Sequence, residues 1–205
     1  MIDSALTLLK GELENFIQHD KGQNFNVELG NIALFEKENK DFEEKIIITL
    51  VNIEEESTLK NGRNLRNSMT GYEYISPPVN LNLYLLITSN LREVANIEGS
   101  YTKSLSGLSY IIEFFQHRNN FTLSNSQSAQ NSTTLESPEM QDMKLLIDLY
   151  TLTFEQINHL WGSLGGRQIP FVMYKARLVS IQNKNVRKEA PVIEEIITNV
   201  SRFAQ

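Results

Sequence analysis

Apolar residues recur at helical intervals at the start of the chain: Ile2, Ala5, Leu6, Leu9, Leu13, Phe16 and Ile17. This spacing predicts an amphipathic helix from Ile2 to Gln18, with Asp3 or Ser4 placed to cap its start and Lys21-Gly22 beyond its end. From Phe25 to Phe35 the pattern changes to partial alternation (Phe25, Val27, Leu29, then Ile32 and Leu34), interrupted by Gly30-Asn31. That predicts a strand with a turn or bulge at the glycine, followed by a charged turn from Glu36 to Glu44. Lys45 to Ile53 is apolar and β-branched at consecutive positions, as expected of a central strand buried on both faces. Ser57 to Ser76 is polar, rich in Asn and Arg, and runs into Pro77-Pro78, so it reads as a long loop. Val79 to Thr88 alternates again and predicts a strand that forms a large hairpin with Lys45–Ile53, the loop at its tip.

Leu105, Leu108, Ile111, Ile112 and Phe115 lie at helical intervals within Tyr101 to His117, which predicts a second long amphipathic helix. Gly107 sits inside it, where a glycine weakens a helix unless a neighbouring element needs close approach. Phe121 to Ser137 is rich in Ser, Asn, Gln and Thr and reads as a flexible loop. Lys144 to Leu152 predicts a strand. Thr153-Phe154-Glu155-Gln156 then fits a capping box, opening a short helix through Leu160-Trp161 that stops at Gly165-Gly166. Phe171 to Ile181 is the last predicted strand, and its basic residues mark it as a candidate sheet edge. Beyond it, Pro191 followed by Val192, Ile193, Ile196, Ile197 and Val200 predicts a short amphipathic helix or an arm. The order predicts an α+β fold with a mixed, mostly antiparallel sheet of about five strands flanked by helices. Residues 1–181 would form the single domain and 182–205 a C-terminal arm or tail.

Composition narrows the chemistry. The chain has 205 residues, 40% of them apolar, enough for one domain with its own core. Cysteine is absent, which removes disulfides, thiolate metal sites and thiol nucleophiles together. No basic start followed by an apolar stretch predicts secretion, and no run is long and apolar enough to predict a membrane span, so synthesis in the cytosol is expected. His19, His117 and His159 lack metal-ligand spacing. Gly162-Ser163-Leu164-Gly165-Gly166 follows a predicted helix rather than a strand, so helix termination explains it better than a nucleophile elbow or a phosphate loop. No nucleophile, base and oxyanion donors assemble, and no metal or other cofactor is expected.

Charge is distributed unevenly. The net charge of −6 weighs against nucleic acid as a partner, as do aromatic residues set in apolar runs without interleaved bases. Between Glu28 and Glu56 acids dominate, ending in Glu54-Glu55-Glu56, whereas Arg167 to Lys188 holds Arg167, Lys175, Arg177, Lys184, Arg187 and Lys188 and no acid. These are either solvated faces or matching surfaces of adjoining copies in a ring. Residues alone therefore point to an α+β assembly or binding module.

Four stretches carry a resemblance: Met1-Ile2-Asp3-Ser4-Ala5-Leu6; Leu50-Val51-Asn52-Ile53-Glu54-Glu55-Glu56-Ser57-Thr58-Leu59-Lys60-Asn61; Pro77-Pro78-Val79-Asn80-Leu81-Asn82-Leu83-Tyr84; and Phe154 to Gly166 with its Leu160-Trp161-Gly162-Ser163-Leu164-Gly165-Gly166 run, followed by Pro170 and Tyr174-Lys175-Ala176-Arg177-Leu178. In this order the chain resembles the cap, or tail-terminator, family of extracellular contractile injection systems of the anti-feeding-prophage and Photorhabdus virulence cassette type. The resemblance implies a tail-terminator-like α+β fold and a non-enzymatic homohexameric ring, assembled in the bacterial cytoplasm. Such a ring closes the distal end of an inner tube and its contractile sheath. Sheath, tube and tape-measure proteins would be its partners, with no nucleic acid and no membrane insertion. A tail-completion or adaptor protein of the same kind of particle, and a small hydrolase, stand as alternatives. The residues singled out for protein contacts are Glu54, Glu55, Glu56, Arg63, Arg66, Trp161, Arg167, Lys175 and Arg177. Trp161 has two readings, as a core residue locking the short helix to the sheet or as an interface anchor.

Overall fold

A computed structural model describes residues 1–34, 44–56, 65–68, 71–75, 79–91, 97–127, 143–166, 168–181 and 186–191. Helix α1 (Ile2–His19) leads into strand β1 (Asn26–Leu29), a 3-10 turn (Ile32–Leu34) and β2 (Lys45–Glu55). Strands β3 (Leu65–Ser68), β4 (Gly71–Ile75) and β5 (Val79–Asn90) follow, then α2 (Ile97–His117), β6 (Asn120–Thr122) and β7 (Lys144–Leu149). Helix α3 (Phe154–Ser163), β8 (Phe171–Ile181) and β9 (Val186–Pro191) complete the order.

The main sheet has six strands in the order β1-β2-β5-β8-β7-β6, one more than the predicted five. Only the β1–β2 pair is parallel, so the sheet is mixed and mostly antiparallel, as the sequence predicts. β2 is central: Ile46, Ile47, Ile48 and Thr49 are buried in succession, Ile46 and Ile48 toward one core and Ile47 toward the other. α1 and α2 cover the first face, where Leu9, Leu13 and Ile17 meet Ile111, Phe115, Leu85 and Tyr174. On the second face α3 and the segment after it bring Leu160, Leu164 and Ile169 against Ile47, Leu86 and Met173. Gly107 explains how α2 comes so close: a Cβ there would lie 2.6 Å from Ser89 Oγ and 3.0 Å from Leu91 Cδ1.

Both ends of α3 behave as predicted. Thr153 and Gln156 exchange capping hydrogen bonds, and Gly165 and Gly166 adopt φ of 106° and 82°, the left-handed region that suits glycine. The Gly166 amide donates to Trp161 O at 2.7 Å, closing the C-terminus.

Five expectations are corrected. The N-cap of α1 is Met1, without a side-chain cap bond, and Asp3 and Ser4 already lie in the first turn. Ile32 and Leu34 belong to a 3-10 turn rather than to the strand, because Thr49 Oγ1 donates to Gly30 O at 2.7 Å and accepts from the Ile32 amide, bending the chain away. Ser57 to Ser76 is not all loop, since it contains the β3–β4 hairpin; and Phe121–Asn125 forms β6 and a 3-10 turn capped by Thr122. β8 is no edge and not the last strand: β5 and β7 flank it on either side, and β9 follows. The open edges of the main sheet, among the described residues, belong to β1 and β6.

β3, β4 and β9 form a second sheet in the order β3-β4-β9. Each strand is joined along the chain to one of the three central strands, β3 to β2, β4 to β5 and β9 to β8, so the order β2-β5-β8 is repeated. The small sheet therefore repeats the strand order of the central three strands. The expected pairing of β2 and β5 is present, with Lys45 opposite Asn90 and Glu55 opposite Leu81, and β3 and β4 fall between them along the chain. The expected charged turn 36–43 lies outside the described residues, as do most of the Ser/Asn-rich 121–137 stretch and the segment after Pro191.

Candidate functional site

α3 covers only the Phe171 end of the second sheet face. Farther along, the four neighbouring strands β2, β5, β8 and β7 carry two cross-strand rows that are open to solvent except at Asn82, which is 4% exposed. One row runs Asn52, Tyr84, Lys175, Asp148 and the other Glu54, Asn82, Arg177, Leu146, because directly opposed residues share a face. β-branched and apolar residues at the alternate positions hold these strands on the helical core beneath, so the polar members must point outward.

The rows are tied together by short contacts. The Tyr84 hydroxyl donates to Glu54 Oε2 at 2.7 Å, and Asn82 Nδ2 donates to Glu56 Oε2 at 3.0 Å. Arg177 Nη2 meets Asp148 Oδ2 at 2.7 Å across β8 and β7, with both side chains about half exposed. Lys175 Nζ stands 5.9 Å from the centroid of the Tyr84 ring, which packs edge-on against Tyr150 at 5.1 Å. The hydrogen bond to Glu54 pushes the Tyr84 hydroxyl up to about 12, and loss of water around it adds in the same direction. At neutral pH Tyr84 is therefore a fixed donor holding the carboxylate in place. The arrangement runs from the acids of β2 through the phenol and amide of β5 to the bases of β8 and then to the acid Asp148 on β7. Its charges are oriented by their neighbours, the kind of order that a surface for recognition requires.

Four of the residues singled out from sequence come together here: Glu54, Glu56, Lys175 and Arg177. The acidic and basic segments thus lie one strand apart within one chain, with β5 between them. Glu55 alternates to the opposite face, level with Leu81. Trp161 is 5% exposed and packs edge-on against Phe171 at 5.3 Å, so its ring belongs to the core between α3 and β8 and offers no surface to a partner. Arg66 lies in β3 opposite Glu73, whereas Arg63 and Arg167 lie outside the described residues. Sequence reading missed Tyr84, Asn82 and Asp148 as members of the site. Alternation places each of them on a strand face, but only the pairing of β5 with β2 and of β7 with β8 brings them to the charged residues. Among the described residues, no three His, Asp or Glu side chains gather as a metal site, and no helix is long and apolar enough to cross a membrane.

Comparison with known proteins bears on this architecture. The chain superposes over its whole length on the sheath/tube terminator of the extracellular contractile injection system PVC in its extended state, with a TM-score of 0.63 at 13% identity. Over 76% of its length it superposes on the tube-terminating cap of the anti-feeding prophage, with a TM-score of 0.50 at 14% identity. At these identities the likeness establishes the fold. The chain spans 64% of the first structure's chain and 49% of the second's. No curated protein matches it. The family model of the Pvc16 N-terminal domain, in contrast, matches residues 5–195, and the chain belongs to that family.

Proposed function

We propose that this chain is a non-enzymatic cap subunit that ends the growth of the inner tube and sheath of a contractile injection particle. The observation that carries this reading is the match of residues 5–195 to the Pvc16 N-terminal domain, in a chain whose whole fold superposes on a sheath/tube terminator.

The physical logic is simple. A growing helical polymer leaves unpaired interfaces on its last layer, and a terminator satisfies them while presenting no equivalent surface above. A chain with two dissimilar faces suits this task. One face of the sheet is sealed by α1 and α2, and the other carries the ordered charged rows beside α3. In this reading Glu54, Glu56, Lys175 and Arg177 contact a neighbouring subunit, and six copies form a ring by head-to-tail contacts. Sheath, tube and tape-measure proteins are its partners, assembly takes place in the bacterial cytoplasm, and no cofactor is needed. Residues 1–181 form the body and 182–205 an arm that begins with β9. Strand addition by an extended segment of the sheath falls to an open edge, β1 or β6 of the main sheet or β3 or β9 of the small one, since β8 is internal.

Electron microscopy of particles from a strain lacking the protein tests the proposal. Tubes and sheaths of excessive and scattered length are expected, restored to one length by the intact gene. Uniform particles of normal length in the deletion strain would rule out the terminator role.

A further inference from the structure

Among the described residues, the strands of the main sheet carry the cations Lys45, Lys144, Lys175 and Arg177. Lys45 on β2 pairs with Glu28 of β1 at 2.8 Å, Arg177 on β8 pairs with Asp148 of β7 at 2.7 Å, and Lys144 on β7 is exposed to water. Lys175 differs from all three. It is partly buried on an inner strand, and no carboxylate among the described residues comes within ion-pair distance of it.

The register explains how this cation is left over. Asp148 stands directly opposite Lys175 across the β7–β8 pair, the position from which a carboxylate ordinarily compensates a cation. Its carboxylate turns instead to Arg177, two residues along β8. On the other side Lys175 is opposite Tyr84, and its Nζ stands 5.9 Å from the centroid of that ring. The Tyr84 hydroxyl is committed to Glu54, and Tyr150 holds the ring edge-on at 5.1 Å. The ammonium is thus placed by its neighbours while its charge meets only an aromatic ring. A partly desolvated cation in such a place is better satisfied when a carboxylate is seated against it.

The surroundings limit what can fill that seat. Glu54 and Glu56 lie on β2 and Asp148 on β7, so acids flank Lys175 on both sides. A polyanion such as nucleic acid or an acidic lipid surface would bring negative charge against all three of these carboxylates. A single carboxylate fits, and it fits best when a base accompanies it. Glu54 is exposed, and its Oε1 has only a long contact, 3.4 Å, from Asn52 Nδ2. β2 and β8 are two strand spacings apart, about 10 Å. The complementary partner therefore carries an acid and a base about 10 Å from each other.

We propose that Lys175 is the seat for a single carboxylate side chain of another protein subunit, with Glu54 taking a base of that same subunit. This rests on the reading of the charged rows as a contact surface and names the chemistry that meets them.

A water-soluble carbodiimide tests the contact, because it joins an amine to a carboxylate as an amide only where the two touch. Lysate of producing cells is treated with it, and the full chain is recovered by an affinity tag, digested and analysed by mass spectrometry. The Glu28–Lys45 pair, at 2.8 Å, serves as the internal standard. The expected product is an amide between Lys175 and an Asp or Glu, in a conjugate heavier than the 23.5 kDa of one chain. Lys175→Arg keeps the charge but has no primary amine, and should lose that product. The Glu28–Lys45 product without any product at Lys175 overturns the proposal, as does a Lys175 amide found only at the mass of one chain. Without cross-linker, Lys175→Glu should lower recovery of the identified partner by roughly tenfold at an unchanged unfolding midpoint. Replacing the partner's identified acid by Lys should restore it, and failure to restore it with both variants folded overturns the contact. The amide at Lys175 is read without reference to particle length, so failure here and failure of the cap reading are separable.

Discussion

Gly107 in α2 and Ser89 in β5 meet so closely that a single methyl group separates a good fit from a clash, a Cβ on the glycine standing 2.6 Å from the serine Oγ. Gly107→Ala gains about 1 kcal/mol of helix propensity but overfills a buried contact, at a cost of about 1–3 kcal/mol. We expect a net loss of about 1 kcal/mol in urea unfolding. Ser89 Oγ is buried and has no hydrogen-bond partner among the described residues, so Ser89→Ala alone should be neutral or stabilising. The double variant should regain most of the loss. A double-mutant cycle with no coupling would show that the two residues do not restrain each other.

The Tyr84–Glu54 hydrogen bond predicts behaviour at high pH. Tyr84 is raised from about 10 to about 12 chiefly by its bond to Glu54, and Tyr174 to about 12 by burial. A group whose pKa is higher in the folded than in the unfolded state binds its proton more tightly when folded. Its contribution is therefore complete below about pH 10 and is lost as pH rises to about 12. Titration of tyrosinate absorbance should show Tyr84 and Tyr174 ionising late, and Tyr84→Phe should remove one of these two. Glu54→Gln should bring Tyr84 back toward the ordinary range. If Tyr84→Phe leaves both late tyrosines in place, the hydrogen bond does not govern the titration.

α3 depends on its cap. Thr153 Oγ1 accepts from the Gln156 amide at 3.3 Å and Gln156 Oε1 accepts from the Thr153 amide at 2.9 Å. Thr153→Ala should cost about 1 kcal/mol of stability, with Thr153→Ser nearly neutral. The single tryptophan, Trp161 on the same helix, reports the change: its fluorescence should lose its buried character at lower urea in Thr153→Ala. An unshifted midpoint would mean that α3 is held by its apolar face alone.

The same helix marks how far sequence reasoning reaches. The Thr153–Gln156 box, the Gly165-Gly166 stop and the β-branched run of β2 were readable because each is fixed by contacts within a few residues. The neighbours of a strand are not fixed that way. Lys175 and Arg177 alternate with Tyr174, Ala176 and Leu178 in β8, a pattern that suits an edge strand. It suits equally an inner strand with one face open, as observed. β3, β4, β6 and β9 are three to six residues long and lie in polar or mixed sequence, too short to show a period, so their existence depends on pairing with distant strands. The division of α2 into a buried and an exposed stripe also escaped notice, because one broad apolar face and two adjacent narrow ones share the same spacing.

Arg177 and Asp148 allow the charged rows to be tested as a contact surface rather than as a source of stability. The pair is about half exposed on both sides, so its worth to folding is about 0–1 kcal/mol. Arg177→Asp should leave the midpoint of unfolding within that range, yet it replaces a cation with an anion beside Tyr84 and Asn82 in a surface proposed to meet another subunit. We therefore expect a folded chain that fails to restore uniform particle length in the deletion strain. The exchanged pair, Arg177→Asp with Asp148→Arg, decides why. It restores an ion pair between β7 and β8 but reverses the pattern seen from outside. Continued failure assigns the defect to recognition, because only the external pattern still differs. Recovery of normal length would mean that the pair matters solely for joining two strands, and Arg177 would then lose its place in the proposed contact surface.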